Sequence, residues 1–166
     1  MDFSLSTNQE SIKDAVGKIC ERFDDAYWLK KDKEGGYPAD FHMALADAGW
    51  LGICIPEEYG GSGLGITDAA IMMRTISESG AGMSGASAVH INVFGLNPVV
   101  VFGTEEQRKR MLPPMVEGRE KACFAVTEPN TGLNTTQLKT RAVAKNDRYI
   151  VNGQKVWIST AQVAHK

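Results

Sequence analysis

Cysteines are few in this sequence and lie far apart. Its 166 residues include three, Cys20, Cys54 and Cys123, and no two of them form a C-x-x-C pair. Disulfide-stapled folds carry an even set of cysteines, and zinc knuckles carry paired ones. The sequence therefore predicts reduced, partly buried thiols and argues against both kinds of framework.

An excess of either charge is also missing, as is a long apolar run. The 18 basic and 20 acidic residues give a formal net charge of -2, which provides no overall attraction to nucleic acid or to an anionic membrane. The apolar runs are far shorter than the ~20 residues that cross a bilayer, and the N-terminus around Asp2 is typical of neither a signal nor a transit peptide. We expect no nucleic-acid partner, no membrane insertion and a cytoplasmic location.

The N-terminal part of the chain has the apolar spacing of amphipathic helices. A capping box formed by Thr7 and Glu10 predicts where the first helix starts. Apolar residues then recur at helical spacing as far as about Leu29. They are Ile12, Val16, Ile19, Cys20, Phe23 and Tyr27. We predict a single helix with one buried face over this stretch, followed by a charged loop over 30–36.

Further helices are predicted as far as residue 118. Pro38 fits the first turn of a second helix, and residue 67 or 68 opens a third. The small, glycine-rich stretch 80–87 is either a loop or a closely packed helix start. A second capping box spans 104–107, and the two prolines at 113–114 predict a short separate turn.

The glycine cluster and the histidines could suggest ligand sites, but their sequence context favours structural roles. The glycine cluster at 60–65 lacks the Gly-Lys-Ser/Thr ending of a P-loop and the flanking strand of a dinucleotide fingerprint, so it predicts a loop between helices. His42, His90 and His165 stand alone, without other ligands at metal spacing, so we predict no metal site.

After Gly118 the patterns become those of strands. Residues 121–127 form an apolar, partly β-branched run that must end before Pro129, because proline cannot donate to a sheet ladder. A polar turn at 130–134 follows, where Gly132 permits positive φ or the close approach of a ligand. A strand that opens into such a loop suits a cofactor phosphate.

Three more strands are predicted beyond this loop. Residues 138–144 and 148–151 have strand patterns, and Asn-Gly at 152–153 lies between two alternating apolar runs, which is a strong hairpin signal. On the last strand, the alternation of side chains puts Lys155, Trp157 and Ser159 on one face. That face would carry a flat aromatic ring beside a hydroxyl.

These motifs resemble those of the acyl-CoA dehydrogenases, flavoproteins that bind FAD between a helical domain and a β-domain. In that family a strand ending in Thr-Glu-Pro runs into a Gly-Ser-Asp loop, followed by Asn-Gly-x-Lys-x-Trp-Ile-(Thr or Ser). The chain has Thr-Glu-Pro at 127–129, Gly-Leu-Asn at 132–134 and Asn-Gly-Gln-Lys-Val-Trp-Ile-Ser at 152–159. The resemblance also includes 55–63 and 102–107, and therefore spans nearly the whole chain.

The resemblance implies an α+β fold class, with a mainly α-helical N-terminal domain at 1–119 and an antiparallel middle β-domain that begins at 120–166. Family members continue well past this point, so we interpret the chain as an N-terminal fragment. The family's catalytic glutamate belongs to the C-terminal region, so we assign no catalytic residue here.

The resemblance also implies FAD as the cofactor. The hydroxyl of Thr127 would reach the polar edge of the flavin, Trp157 would lie against the ring, and Ser159 would lie near the reactive nitrogen. Each residue alone also fits a purely structural role, and Glu128 is interpreted as a structural carboxylate. The predicted FAD contacts are Phe124, Ala125, Val126, Thr127, Gly132, Leu133, Trp157, Ile158 and Ser159.

Leu133-Asn134 stands where the family has Ser-Asp. Leucine cannot donate a side-chain hydrogen bond, so a contact with phosphate or acyl-CoA at Leu133 should weaken by about 0.5–1.5 kcal/mol. The backbone amide, Thr131, Thr135 or Thr136 could replace it. Leu133 is therefore also our predicted substrate contact, and the small residues at 80–87 leave room for an acyl chain.

The activity implied is α,β-dehydrogenation of an acyl-CoA to a trans-2-enoyl-CoA, with an electron-transfer flavoprotein or similar acceptor and a homo-oligomer for a full-length member. Two alternatives stay open. One is a flavin oxidase or monooxygenase on the same scaffold, and the other is a non-catalytic helical interaction module.

Overall fold

The structure is a computed structural model, and it describes residues 4–166. The predicted features of the N-terminus around Asp2 lie outside these residues. Within this range, seven α-helices are followed by one small antiparallel sheet. The helices are α1 (Thr7–Cys20), α2 (Asp25–Glu34), α3 (Ala39–Asp47), α4 (Ile66–Ile76), α5 (Gly82–Phe94), α6 (Asn97–Phe102) and α7 (Glu105–Val116), and the strands are β1 (Arg141–Lys145) and β2 (Arg148–Asn152).

The predicted first helix is in fact two helices. Ser6 caps α1 in a capping box with Gln9, so the predicted pair Thr7 and Glu10 was wrong by one position. The helix ends at Cys20, and the carboxylate of Asp24 then accepts a hydrogen bond from the amide of Tyr27 at 2.9 Å. This second cap starts α2, which continues to Glu34. The predicted single helix to Leu29 and the charged loop from residue 30 were therefore wrong.

The remaining helix starts are nearly as predicted. Pro38 precedes α3, and Thr104 with Gln107 forms the predicted capping box of α7, with donor–acceptor distances of 2.8 and 3.2 Å. The separate turn at Pro113-Pro114 was wrong, because both prolines lie inside the last turns of α7. Gly60 and Gly61 lie in the loop between helices that the sequence predicted.

The helices α4 and α5 are joined by one π-helical turn, Ser77–Ala81, in which Gly80 has a φ of 92°. The small-residue stretch 80–87 is thus a bend that continues into a helix. The whole stretch Ile66–Phe102 contains 37 residues and is long and apolar enough, by length and composition alone, to cross a membrane. Core helices of soluble proteins pass the same test, and α4 and α5 both contribute side chains to the core described next.

The helices enclose two neighbouring apolar clusters. The larger one gathers residues of α1 to α5 around Phe41, Leu45 and Met72, which are almost completely buried. In it, the ring of Phe41 meets those of Phe23 and Trp28 edge to face. The smaller cluster packs α5 and α7 through Ile91 and Leu112. Burial of these faces supplies most of the stability of such a helical unit.

The C-terminal segment contains one hairpin, and its turn is not the predicted one. Strands β1 and β2 pair from Arg141 opposite Asn152 to Lys145 opposite Arg148, so the turn is Asn146-Asp147. Asn146 takes the left-handed φ of 57° that such turns need. The Asn152-Gly153 hairpin was wrong, and the strand predicted from residue 138 begins only at Arg141.

The strands predicted over 121–127 and 155–159 are not formed among the described residues. Both stretches are irregular and are connected by isolated backbone bonds, such as the one that Val156 N donates to Thr127 O at 3.0 Å. Trp157 has a φ of 59°, which breaks the alternation of faces that a strand requires. The predicted common face of Lys155, Trp157 and Ser159 is therefore absent.

Candidate functional site

A cavity of about 180 Å³ lies where the C-terminal segment meets α5. It brings together three of the predicted FAD contacts, Phe124, Trp157 and Ser159. The sequence did not predict that α5 would provide the opposite wall. The full lining is His90, Ile91, Phe94, Phe124, Trp157, Ser159 and Thr160, and we call this space the aromatic cavity.

Three rings in contact form one wall of the aromatic cavity. The ring centroids of His90 and Phe94 are 4.9 Å apart, and Phe94 meets Phe124 edge to face at 5.4 Å. His90 and Phe94 are four residues apart on α5 and therefore lie on one helix face. That spacing was the available signal for these two residues, which the sequence analysis did not place at the site.

Trp157 is the most unusual residue of this site. Its side chain is 89% exposed although it is large and apolar, and its backbone lies in the left-handed region. Thr160 also has a left-handed φ, of 69°, so Ile158 and Ser159 lie between two strained residues. Such strain costs about 1–3 kcal/mol per residue and clusters at ligand sites.

The carboxylate of Glu128 holds the two sequence motifs together. It is 7% exposed and accepts backbone hydrogen bonds from Lys139 and Thr140, each at 2.8 Å. Lys155 Nζ donates to Glu128 Oε1 at 3.0 Å and to the carbonyl of Val126 at 2.8 Å. Hydrogen bonds from Thr140 and from Lys139 hold the pKa of Glu128 at about 2. The predicted structural role of Glu128 is thus confirmed, and Lys155 is its missed partner.

The other predicted contacts lie outside the aromatic cavity. Ala125 is exposed, while Val126 and Thr127 are half-buried beside the Glu128 network. Ile158 faces a different cavity of about 310 Å³, which it shares with Tyr37. The structure therefore groups the predicted residues into an aromatic part and a neighbouring loop.

Gly132 and Leu133 form the exposed tip of that loop. Leu133 is 105% exposed, and a Cβ at Gly132 would meet no atom within 4 Å. Of the two roles that the sequence allowed for Gly132, the positive φ is not found. The space around its backbone, which a ligand could approach, remains. Of the residues considered as replacements for the family serine, Thr131 and Thr136 already donate their hydroxyls within the loop, to Gln137 O and Asn134 Oδ1.

A second cavity, of about 280 Å³, lies at the bend between α4 and α5. We call it the bend cavity. Its lining is largely apolar, and it includes the small residues that the sequence analysis associated with an acyl chain. The lining residues are Met73, Arg74, Ser77, Met83, Ala86, Ser87 and His90.

Models of two protein domains match this chain. The acyl-CoA dehydrogenase N-terminal domain matches residues 6–119, and the acyl-CoA dehydrogenase middle domain matches residues 123–166. The chain belongs to the acyl-CoA dehydrogenase family.

Individual acyl-CoA dehydrogenase relatives agree with this assignment. A curated relative, the probable acyl-CoA dehydrogenase YngJ of Bacillus subtilis (strain 168), is 32% identical over 166 residues, which cover 99% of this chain and 43% of the relative. The solved butyryl-CoA dehydrogenase of Megasphaera elsdenii superposes with a TM-score of 0.88 at 28% identity, covering 99% of this chain and 44% of that one.

A third similar protein comes from a structural study of the electron transferring flavoprotein of Acidaminococcus fermentans. Its TM-score is 0.89 at 34% identity, and the alignment covers 99% of this chain and 43% of that one. This chain thus spans about two fifths of the length of these relatives, and its α+β fold is the one they share.

The residues of the aromatic cavity fit one side of a flavin. A flavin needs a flat apolar contact and polar groups at its edge. The exposed rings of Trp157 and Phe124 offer the first, and the exposed hydroxyl of Ser159 offers the second. Ligand pockets usually measure about 300–1,000 Å³, so a cavity of about 180 Å³ suits part of such a group rather than all of it.

Proposed function

We propose that this chain supplies the flavin contact and part of the acyl pocket of an FAD-dependent acyl-CoA dehydrogenase. The reaction is α,β-dehydrogenation of an acyl-CoA thioester to the trans-2-enoyl-CoA. The observation that carries the proposal is Trp157, an exposed ring on strained backbone beside Ser159 and the wall of three contacting rings.

In this proposal, different residues of the chain have different roles in binding the flavin. Trp157 and Phe124 provide the apolar surface for the ring, and the hydroxyls of Thr127 and Ser159 hydrogen-bond to its polar edge. Lys155 and Glu128 fix the loop that carries Thr127 against the segment that carries Trp157. Bound FAD would accept the hydride that leaves the β-carbon of the acyl group.

The described residues do not offer a base for the α-proton at this site. No carboxylate lines the aromatic cavity, and the buried carboxylate of Glu128 has a pKa of about 2 because its oxygens accept several hydrogen bonds. A general base works best when its pKa lies near the working pH. We therefore propose that the base comes from outside these 166 residues.

A turnover assay tests that proposal directly. The FAD-loaded 166-residue chain is mixed with butyryl-CoA and an artificial electron acceptor, and the absorbance of the enoyl product is followed. We expect no rate above the protein-free control, because a positioned base contributes about 10²–10⁴-fold. Turnover above that control would refute the assignment of the base to a residue outside the chain.

Titration with FAD tests the flavin site itself. Quenching of flavin fluorescence is followed for the wild type and for Trp157→Ala, and we expect Kd to rise about three- to tenfold in the variant, as loss of an aromatic contact predicts. Phe102→Ala is the matched control, because Phe102 is 85% exposed but lies outside the cavity. Equal Kd values for all three proteins would refute the placement of the flavin on Trp157.

A folded chain that does not bind FAD would favour the interaction module over the flavoprotein.

Several further parts of the proposal are taken from the family. They are acyl-CoA as the substrate, an electron-transfer flavoprotein or similar acceptor and a homo-oligomeric full-length protein. A cytoplasmic location is a separate part of the proposal and comes from the sequence. An oxidase or monooxygenase would differ in its access for oxygen, which stopped-flow reoxidation of the reduced flavin measures.

A further inference from the structure

Trp157 has a backbone conformation that its own contacts do not explain. Its φ of 59° lies in the left-handed region, which a bulky residue rarely takes. Within residues 4–166, Trp157 makes no hydrogen bond and its ring meets no other ring face or edge. Since the side chain is 89% exposed, close packing does not fix it either. Strained backbone persists only where the surrounding structure imposes it, so the neighbours of Trp157 must hold it.

The chain that follows Trp157 is fixed only locally by its hydrogen bonds. The amide of Ala161 donates to the carbonyl of Ile158 at 3.3 Å, and the amide of Val163 donates to that of Thr160 at 3.0 Å. Both bonds join residues three apart, so they shape a turn. Neither of them reaches back to the tryptophan.

The chain that precedes the tryptophan is bound to a distant segment. Lys155 Nζ donates to the carbonyl of Val126 at 2.8 Å and to Glu128 Oε1 at 3.0 Å. The amide of Val156 donates to the carbonyl of Thr127 at 3.0 Å. Two successive residues thus engage three successive residues of the first sequence motif, directly before the strained position.

The direction of the Lys155 side chain explains why the backbone turns at the next residue but one. In an extended chain, side chains two positions apart lie on the same side. An extended Trp157 would therefore follow Lys155 toward Glu128. That side is already occupied by the ion pair, whose side chains are 23% and 7% exposed. The left-handed residue turns the indole away from it, and the ring lies at the edge of the aromatic cavity.

We propose that Lys155 is a positioning residue that holds the backbone of Trp157 in the left-handed conformation and so presents the indole to the flavin. The presentation to the flavin rests on the proposed function, whereas the control of the backbone does not. Lys155 itself is absent from the lining of the aromatic cavity. It acts through the tryptophan.

Fluorine NMR tests the control of the backbone without any cofactor. The chain contains three tryptophans, Trp28, Trp50 and Trp157. Each gives one resonance when it is replaced by 5-fluorotryptophan, and Trp157→Phe assigns the third. In Lys155→Met we expect the Trp157 resonance to shift or split, while the other two, which belong to the larger apolar cluster, stay in place. An unchanged Trp157 resonance would overturn the inference.

Two lysine variants serve as controls for this spectrum. Lys155→Arg keeps a cationic donor and should restore the wild-type resonance of Trp157. Lys139→Met is the matched control, because Lys139 binds Glu128 through its backbone amide and its side chain is exposed. It should leave all three resonances in place. A shift in Lys139→Met as large as that in Lys155→Met would refute a specific role of Lys155.

A second variant keeps the test decisive if Lys155→Met does not fold. Removal of one partner leaves a buried carboxylate without its cation, which destabilises a protein more than removal of the whole pair. Lys155→Met combined with Glu128→Gln leaves no unpaired charge. The Trp157 resonance should shift in this double variant as well, and a wild-type resonance there would count against the inference.

Binding of FAD shows whether Lys155 acts through Trp157. Lys155→Met should raise Kd about three- to tenfold, as Trp157→Ala does. Because both changes remove the same contact, the double variant should bind FAD as weakly as Trp157→Ala alone. A Kd raised by the product of the two single effects would mean that Lys155 acts independently of the tryptophan, contrary to the inference.

Failure of the inference can be told from failure of the proposed function. A wild-type chain that binds no FAD refutes the proposed function, and the fluorine spectra then still decide whether Lys155 holds the backbone of Trp157. A chain that binds FAD but keeps its Trp157 resonance in Lys155→Met refutes the inference and leaves the flavin site in place.

Discussion

His42 is a titratable side chain that lies entirely inside the larger apolar cluster. Its ring centroid is 5.5 Å from that of Tyr37, and the side chain is fully buried. Burial and the nearby charge of Lys121 lower its pKa from 6.5 to about 4. The folded protein therefore keeps this imidazole neutral at pH values at which an unfolded chain already binds a proton.

The resulting pH dependence has a definite sign. The stabilisation from neutral His42 is complete above pH 6.5 and is lost as the pH falls toward 4, because only the unfolded chain takes up the proton in that window. The free energy of unfolding should fall by up to about 1.4 kcal/mol per pH unit there. Urea unfolding at pH 7 and pH 5 measures this slope.

Substitution isolates the contribution of His42. His42→Gln should lower stability at pH 7 but flatten the slope between pH 7 and 5. An unchanged slope in His42→Gln would assign the pH dependence to other groups.

Single residues also show what the sequence can and cannot reveal. The structural role of Glu128 agrees with the prediction, and the amides of Lys139 and Thr140 are the partners that the sequence did not identify. The start of α1 was ambiguous, because Ser6 with Gln9 and Thr7 with Glu10 both satisfy the same capping pattern. The left-handed backbone of Trp157 leaves no signal, because tryptophan does not favour that region.

At the scale of elements, the loop between α3 and α4 depends on two glycines that touch. A Cβ on Gly61 would overlap the carbonyl groups of Ile55 and Gly52, and one on Gly52 would come within 3.0 Å of the Cα of Gly61. Backbone cannot yield as the end of a flexible side chain can. The loop is therefore held by close approach of backbone.

Alanine substitution tests this close contact. Gly61→Ala should destabilise the chain by about 1–3 kcal/mol, as overpacking usually does. Gly132→Ala is the matched control, because the added Cβ would meet nothing within 4 Å and no positive φ is involved. Thermal unfolding of both variants gives the comparison. Equal midpoints would mean that the loop relaxes at little cost.

Helices were more predictable than strands because they depend mainly on local sequence. The capping box of α7 and the apolar face of α1 were predicted correctly. The cap at Asp24 was missed because the helical spacing of apolar residues continues on both sides of it. A strand needs a partner, and 121–127 has strand propensity but no ladder among the described residues. The aromatic cavity was also not predictable from local sequence, because it brings residues of α5 together with residues far away in the chain.

At the scale of the whole molecule, the hairpin differs from the helices in its burial. Every residue of β1 and β2 is exposed, whereas the helices share two buried clusters. A lone two-stranded hairpin is marginally stable in water. Regions with few buried contacts open at low free energy, so the hairpin should be the part that opens first.

Hydrogen exchange followed by mass spectrometry tests this difference. Amides of β1 and β2 should exchange much faster than those of α5 around Val89 and Ile91, which are buried. Addition of FAD should slow exchange around Trp157 and leave the hairpin turn at Asn146 unchanged. Protection of the hairpin as strong as that of α5 would contradict the expectation.

The bend at Gly80 has a consequence for how acyl-CoA dehydrogenases of this type diverge. Because the bend cavity opens where α4 and α5 meet at an angle, its size depends on that angle as well as on the side chains that line it. A substitution at the hinge, remote from any ligand, would then reshape the space as a change of lining residue does. Two homologues with identical lining residues would then have bend cavities of different size if their helices bent differently.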